Sequence, residues 1–176
     1  GIVVSPDSRK VYIALFSNNE IAVYDTLTNA ITNYTVGNVP NGMAMSPDGS
    51  KLYISNLQDS SLSVFSTLTN SLITTIDIDQ EPVGVAVSPD GSRVYVACQH
   101  NGTLSVVNAL TNTHITDIQI GPYTEGVCVS PDGSKVYCGS FSNYVKTIST
   151  ATNTVIDSVA VGNTPYGIGI TKDGSK

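Results

Sequence analysis

A chain of 176 residues, 40% hydrophobic and only 12% charged, has a globular composition and is long enough to bury a respectable core, which excludes a disordered or coiled-coil chain. Its formal net charge of −6 argues against a general polyanion binder, because an acidic surface repels phosphates. No stretch approaches the roughly 20 apolar residues of a transmembrane helix, so no membrane insertion is expected.

The first unit, residues 1–37, opens on the apolar run Ile2-Val3-Val4 and ends that run at Ser5-Pro6-Asp7. Gly1 falls inside a strand and no basic-then-apolar leader is present, so the sequence is expected to continue upstream. Tyr12 marks a second strand, Thr28-Asn29 a turn, and Ile31 the start of an outer strand. Residues 38–79 repeat this order: Met43-Ala44-Met45, then Ser46-Pro47-Asp48-Gly49, the tyrosine strand Lys51-Leu52-Tyr53-Ile54, Leu62-Ser63-Val64-Phe65, the Thr69-Asn70 turn and Leu72–Ile78.

Residues 80–121 do so again, with Val85-Ala86-Val87, Ser88-Pro89-Asp90, Tyr95 and Thr111-Asn112. Residues 122–162 follow with Val127-Cys128-Val129, Ser130-Pro131-Asp132, Tyr137 and Thr152-Asn153. Residues 163–176 begin a fifth unit, Ile168-Gly169-Ile170 and then the degenerate turn Thr171-Lys172-Asp173-Gly174.

A period of forty-one or forty-two residues held through four copies is the signature of a repeat architecture. Pro fixes φ for a type I turn and the following Gly supplies a left-handed residue, so each Ser-Pro-Asp-Gly closes a hairpin. Three of the first strands centre on a small residue, Ala44, Ala86 or Gly169, as a crowded position near an axis requires. The last strand alternates, Ile118 and Ile120 against Asp117 and Gln119, the period-two pattern of a half-exposed outer strand. A four-stranded unit tapering in this way is a propeller blade, so the fold is all-β: four blades of antiparallel strands and the start of a fifth. No helix of two turns or more is expected. The chain opens within the first strand of one blade and stops just after that of a fifth, so the 176 residues are expected to form an open arc and not a closed ring.

Tyr53-Ile54-Ser55-Asn56 comes close to the tetrapeptide of the YVTN repeats, and a Gly-x-x-Pro-x-Gly entry recurs at Gly37–Gly42 and Gly162–Gly167. The chain therefore resembles YVTN-type β-propeller repeat proteins over its whole length. It departs at Tyr12-Ile13-Ala14-Leu15, at Tyr137-Cys138-Gly139-Ser140 and at the displaced proline of Gly121-Pro122-Tyr123-Thr124-Glu125-Gly126. The resemblance implies a propeller of usually seven blades in surface-layer, cell-surface or periplasmic proteins. Its superfamily also holds enzymes, among them lactonases and quinoprotein and haem d1 oxidoreductases. No residue here matches their functional motifs, so no catalytic residue, metal ligand or cofactor is expected.

Arg9, Lys10, Lys51, Arg93 and Lys135 follow the Ser-Pro-Asp turns, and Lys172 and Lys176 occupy the same region of the fifth unit. Asp7, Asp48, Asp90 and Asp132 lie beside them, which predicts a solvated rim of mixed charge and not a nucleic-acid patch. The opposite face carries the loops that differ between units, and ligand contacts are expected there, at Glu81, His100, Tyr123, Glu125 and Tyr166. Gln58, Asp59, Gln99, Asn101 and Phe141 share those loops. His100 and Glu125 could meet across a blade junction, though two ligands without a third make a poor metal site. His114 begins an outer strand and reads as structural. Cys98, Cys128 and Cys138 sit in apolar runs as buried thiols, with Cys128 and Cys138 flanking one hairpin. Asn33-Tyr34-Thr35 and Asn101-Gly102-Thr103 fit the glycosylation acceptor pattern.

The resulting expectation is a non-catalytic scaffold, extracellular, at the cell surface or in the periplasm, that binds a protein, glycan or other ligand, with further blades of a parent chain as neighbours. The alternatives are a fragment of a propeller enzyme, lactonase-like or of the quinoprotein or haem d1 type, and a nucleic-acid-binding propeller, which the acidic loops disfavour.

Overall fold

The computed structural model describes residues 1–174, so Lys176 lies outside it. Sixteen strands form four antiparallel sheets, each a run of four sequential neighbours. Blade 1 holds β1 (Ile2–Val4), β2 (Lys10–Leu15), β3 (Glu20–Asp25) and β4 (Ile31–Thr35). Blade 2 holds β5 (Pro40–Met45), β6 (Lys51–Asn56), β7 (Ser61–Ser66) and β8 (Ser71–Asp77). Blade 3 holds β9 (Pro82–Val87), β10 (Arg93–Cys98), β11 (Thr103–Asn108) and β12 (Thr113–Gln119). Blade 4 holds β13 (Thr124–Val129), β14 (Lys135–Ser140), β15 (Tyr144–Ser149) and β16 (Thr154–Ala160). No helix occurs among the described residues, and none could cross a membrane as a long apolar helix.

Period-two alternation gives every sheet two apolar faces, and the cores lie between blades. One cluster joins Tyr12, Ile21 and Val23 of blade 1 to Met43, Leu52, Ile54 and Phe65 of blade 2. A second joins Tyr53, Leu62 and Val64 to Val94, Val96, Cys98 and Val107. The third joins Tyr95, Leu104 and Val106 to Val136, Cys138 and Ile148. The recurring tyrosine is thus the forward-facing anchor of its blade, about 1% exposed at Tyr12, Tyr53 and Tyr95. Burial raises all three phenol pKa values, that of Tyr53 to about 12.

The innermost strands stack so closely that glycine is required. A Cβ on Gly42 would run into the carbonyl of Val83, and one on Gly84 into the carbonyl of Glu125. These strands also begin earlier than their apolar runs suggest. β5 starts at Pro40, and its pairing with β6 shifts register between Pro40 and Met43; β13 shifts likewise between Thr124 and Val127. These are β-bulges, which bend a strand and re-aim a side chain. A bulge also interrupts the outer strand of blades 2 to 4, leaving Ile73, Ile115 and Ile156 partly exposed. Bulged outer strands make poor templates for edge-to-edge pairing.

Each Ser-Pro-Asp turn is held by one hydroxyl and one carboxylate. Ser88 Oγ donates to Asp90 Oδ1 at 2.5 Å and accepts from Arg93 N at 2.9 Å, while Ser92 N donates to Asp90 Oδ1 at 3.0 Å. The same set recurs around Ser46 and Ser130. Donors from the serine on either side hold the carboxyls of Asp48, Asp90 and Asp132 down at about 2.

Among the described residues no lysine or arginine of this mixed-charge rim makes an ion pair with a carboxylate. The bases reach the next blade instead. Lys51 Nζ donates to Ala109 O at 2.8 Å and Asn112 Oδ1 at 3.3 Å; an Arg93 guanidinium nitrogen donates to Thr150 O at 2.8 Å and Asn153 Oδ1 at 3.1 Å. With their carboxylates already bonded to local donors, two of the turns leave a base, Lys51 or Arg93, to latch the neighbouring Thr-Asn turn. The three thiols are free, and burial raises all three, Cys98 to about 12. Cys128 lies opposite Tyr137 and Cys138 opposite Val127, which turns the two thiols to opposite faces of the sheet.

Candidate functional site

The variable loops gather on the face away from the Ser-Pro-Asp turns because strands alternate direction. Each loop between the second and third strands is pinned to its own blade's entry segment. Leu57 N donates to Val39 O at 3.0 Å, Gln99 N to Glu81 O at 3.0 Å and Phe141 N to Tyr123 O at 3.4 Å. Val39, Glu81, Tyr123 and Thr164 all sit in the left-handed region, at φ 58°, 54°, 53° and 50°. Since Val39 and Thr164 share it, this backbone strain belongs to the entry turn of every unit and is no mark of a site.

Two positions further on, the entry segments carry Asn41, Val83, Glu125 and Tyr166 at equivalent positions of the repeat. Glu125 is only 8% exposed, and its Oε1 accepts from Gln99 Nε2 of the preceding blade. Burial raises its pKa, and the amide partner partly opposes that rise. At the next junction the same two positions hold aromatic rings, Phe141 and Tyr166, with centroids 6.2 Å apart. Phe141 also lies 5.7 Å from Tyr123, so three rings form a row. Tyr123 is 57% and Tyr166 72% exposed.

His100 does not turn to Glu125. Its Nδ1 lies 3.8 Å from Glu81 Oε1, within its own blade, while the adjacent Gln99 takes the place beside Glu125. The five residues expected from sequence therefore fall into an exposed His100–Glu81 pair, the ring row that holds Tyr123 and Tyr166, and Glu125 at the preceding junction with Gln99. Phe141 completes the row. Gln99 and Phe141 were legible as loop residues, but only the repeat register identifies them as the partners of Glu125 and Tyr166. Asn101 and Thr103 are occupied locally: Asn101 Nδ2 and Thr103 Oγ1 both donate to Asp79 at 2.6 Å. His114 Nε2 lies 2.9 Å from Asp117 Oδ1, which also accepts from Ser105 Oγ, as a structural role requires. No group of three or more His, Cys, Asp or Glu converges among the described residues as a metal centre would need.

The opposite face carries shallow grooves at the blade junctions. One, of about 510 Å³, lies between Ser88, Asp90, Arg93 and Tyr95 of one blade and Asp132 and Gly133 of the next. Grooves of about 470, 340 and 260 Å³ repeat it at the other turns. Their identical construction makes them a by-product of blade stacking.

Residues 26–131, more than half of the chain, match the sequence model of a family described as "Lactonase, 7-bladed beta-propeller". No curated protein matches the chain. Among solved structures, "Kuenenia stuttgartiensis Hydrazine Synthase" is similar at 28% identity and a TM-score of 0.85, over 91% of this chain and 48% of that one. The chain thus spans about half the length of that structure. In all, 1692 solved chains match, a breadth that marks an architecture and not an activity.

Proposed function

The chain belongs to the family of seven-bladed β-propeller lactonases, and from that premise we propose that it is a YVTN-type binding scaffold without catalytic activity. Its station is extracellular, at a cell surface or in the periplasm, and its ligand or partner sits on the loop face. One observation carries this reading. A single pair of positions, repeated across successive junctions, holds a hydrogen-bonded Gln99–Glu125 pair in one place and a Phe141–Tyr166 ring contact in the next. A frame that keeps its geometry while the chemistry changes is built to encode recognition.

The test is a glycan array and a protein pull-down run with two triple-alanine variants. One replaces His100, Tyr123 and Glu125, the other Lys51, Arg93 and Lys135. The scaffold reading expects the first to lose binding at unchanged stability and the second to lose stability alone.

A second reading, a lactonase-like enzyme, draws on the family and on Glu125, a shielded carboxyl with a raised pKa on the variable face. There Glu125 would take a proton from water as it adds to a lactone carbonyl, then return that proton to the ring oxygen as the ring ester bond breaks, and a hydroxy acid would leave. Hydrolysis of a sugar-lactone panel that Glu125→Gln abolishes would establish it and displace the scaffold reading.

A further inference from the structure

We propose that the mouth of the junction between blades 3 and 4 binds a small organic cation, an ammonium or guanidinium group, through Glu125 and the ring of Tyr123, which the same entry segment carries two residues earlier. The inference rests on the loop face being the binding face and names the ligand class for it.

Three observations lead there. Glu125 is an under-served carboxylate. Asp90 takes donors from Ser88 and Ser92, and Asp79 takes them from Asn101, Thr103 and Gln80 N. Glu125, more deeply covered at 8% exposure, has the single neutral amide of Gln99 and no cation among the described residues. A shielded carboxylate in that position either keeps its proton or takes a positive partner. The entry segment that delivers Glu125 also carries Tyr123, whose ring continues through Phe141 to Tyr166. The negative faces of such rings attract cations, most strongly where water is partly excluded. Finally, the net charge of −6 draws cations toward the surface. The matching positions of the preceding junction are Leu57 and Val83, which offer no charge, so the site belongs to one junction alone.

The experiment is a nuclear magnetic resonance titration of the 176-residue chain with choline and with its uncharged isostere 3,3-dimethylbutan-1-ol. Choline is expected to shift Gln99, Tyr123, Glu125 and Phe141 and to bind at least about tenfold more tightly than the isostere. Glu125→Gln, which keeps the shape and removes the charge, is expected to abolish that preference while its spectrum stays that of the folded chain. Tyr123→Ala is expected to weaken choline a few-fold. Choline binding should also weaken as pH falls through the raised Glu125 pKa, because protonation removes the counter-charge. Equal affinity for the isostere, an unchanged Glu125→Gln, or no choline binding overturns the inference. A neutral oligosaccharide that shifts the same residues with no cation preference overturns it and leaves the face assignment standing. Choline shifts confined to the Ser-Pro-Asp turns overturn the face assignment as well.

Discussion

On the Ser-Pro-Asp face every turn repeats the one before it: a hydroxyl bridging a carboxylate and a backbone amide, and at two junctions a base crossing to the next blade. On the loop face the backbone repeats just as faithfully, down to a left-handed residue at each entry, yet no two junctions carry the same side chains. The strands are common to both faces, so the contrast cannot come from the fold. It comes from which groups the fold consumes. The turn residues spend their donors and acceptors on one another, whereas Glu125, Tyr123 and Tyr166 keep groups that the blade does not need.

If that division is right, the largest losses of stability lie where both faces depend on the stack. Gly84→Ala would drive a methyl into the carbonyl of Glu125 in the adjoining strand, where backbone meets backbone and neither can yield cheaply. A destabilisation of about 2–3 kcal/mol is expected, read as a lower urea midpoint. Gly169→Ala is the control, since its Cβ would meet nothing within 4 Å. An equal loss at both would mean that close approach does not set the cost, since the lower entropy of an unfolded alanine chain would stabilise both variants.

The turn face should break next. Ser88→Ala removes the hydroxyl that ties Asp90 to Arg93 N and leaves a nearly buried amide without its partner, at about 1–2 kcal/mol. Arg93→Ala should lose about 1 kcal/mol with the latch to Thr150 and Asn153. The three carboxyls held at about 2 add an acid signature. Their folded pKa values lie below the unfolded ones. Their contribution is therefore complete above about pH 4 and is lost as pH falls toward 2. Removing all three aspartates should flatten that limb of the stability curve.

Glu125 on the loop face has the opposite sign. Its folded pKa is raised, so the folded chain holds that proton more tightly, and stability falls as pH rises through the interval above the ordinary glutamate value. Glu125→Gln should flatten this dependence and leave neutral-pH stability equal or slightly higher. A marked loss on that substitution would place Glu125 among the structural residues and blur the contrast between the faces.

The sequence revealed the turn face more fully than the loop face, for a physical reason. Ser-Pro-Asp is a local device: its bonds join residues within five positions, so the motif alone implies the hairpin, and four copies imply the blade. What that local device does not show is where its bases go. Lys51 and Arg93 stand beside aspartates in sequence, but those carboxylates are already filled, and the bases cross about sixty residues to another blade. On the loop face position alone misleads. His100 and Glu125 looked suited to meet, yet it is Gln99, one residue earlier, that spans the junction, as Phe141 does one blade on. The inner strand also begins at Pro40 rather than Met43, with a register shift between them that its apolar run does not reveal.

The smallest expected effect tests whether the shared backbone of the loop face is as neutral as its repetition implies. Val39 is β-branched and holds φ at 58°, a region that Asn tolerates and Val does not. Its N–H donates to Asn19 Oδ1 at 3.0 Å and its carbonyl accepts from Leu57 N, so neighbours hold the conformation in place. Val39→Ala removes the branch but leaves a Cβ in the left-handed region. Val39→Asn removes the branch and suits the region. Both lose similar apolar contact, so their difference isolates the strain, and Asn should be the more stable by about 0.5–1 kcal/mol in thermal unfolding. The same pair of substitutions at Tyr123, φ 53°, should give the same difference in stability while both abolish the ring contact with Phe141. Matching values would mean that the entry turn imposes one backbone on every blade and leaves recognition to the side chains. A much larger difference at Tyr123 would mean that this junction carries strain of its own, and that backbone as well as side chain is specialised there.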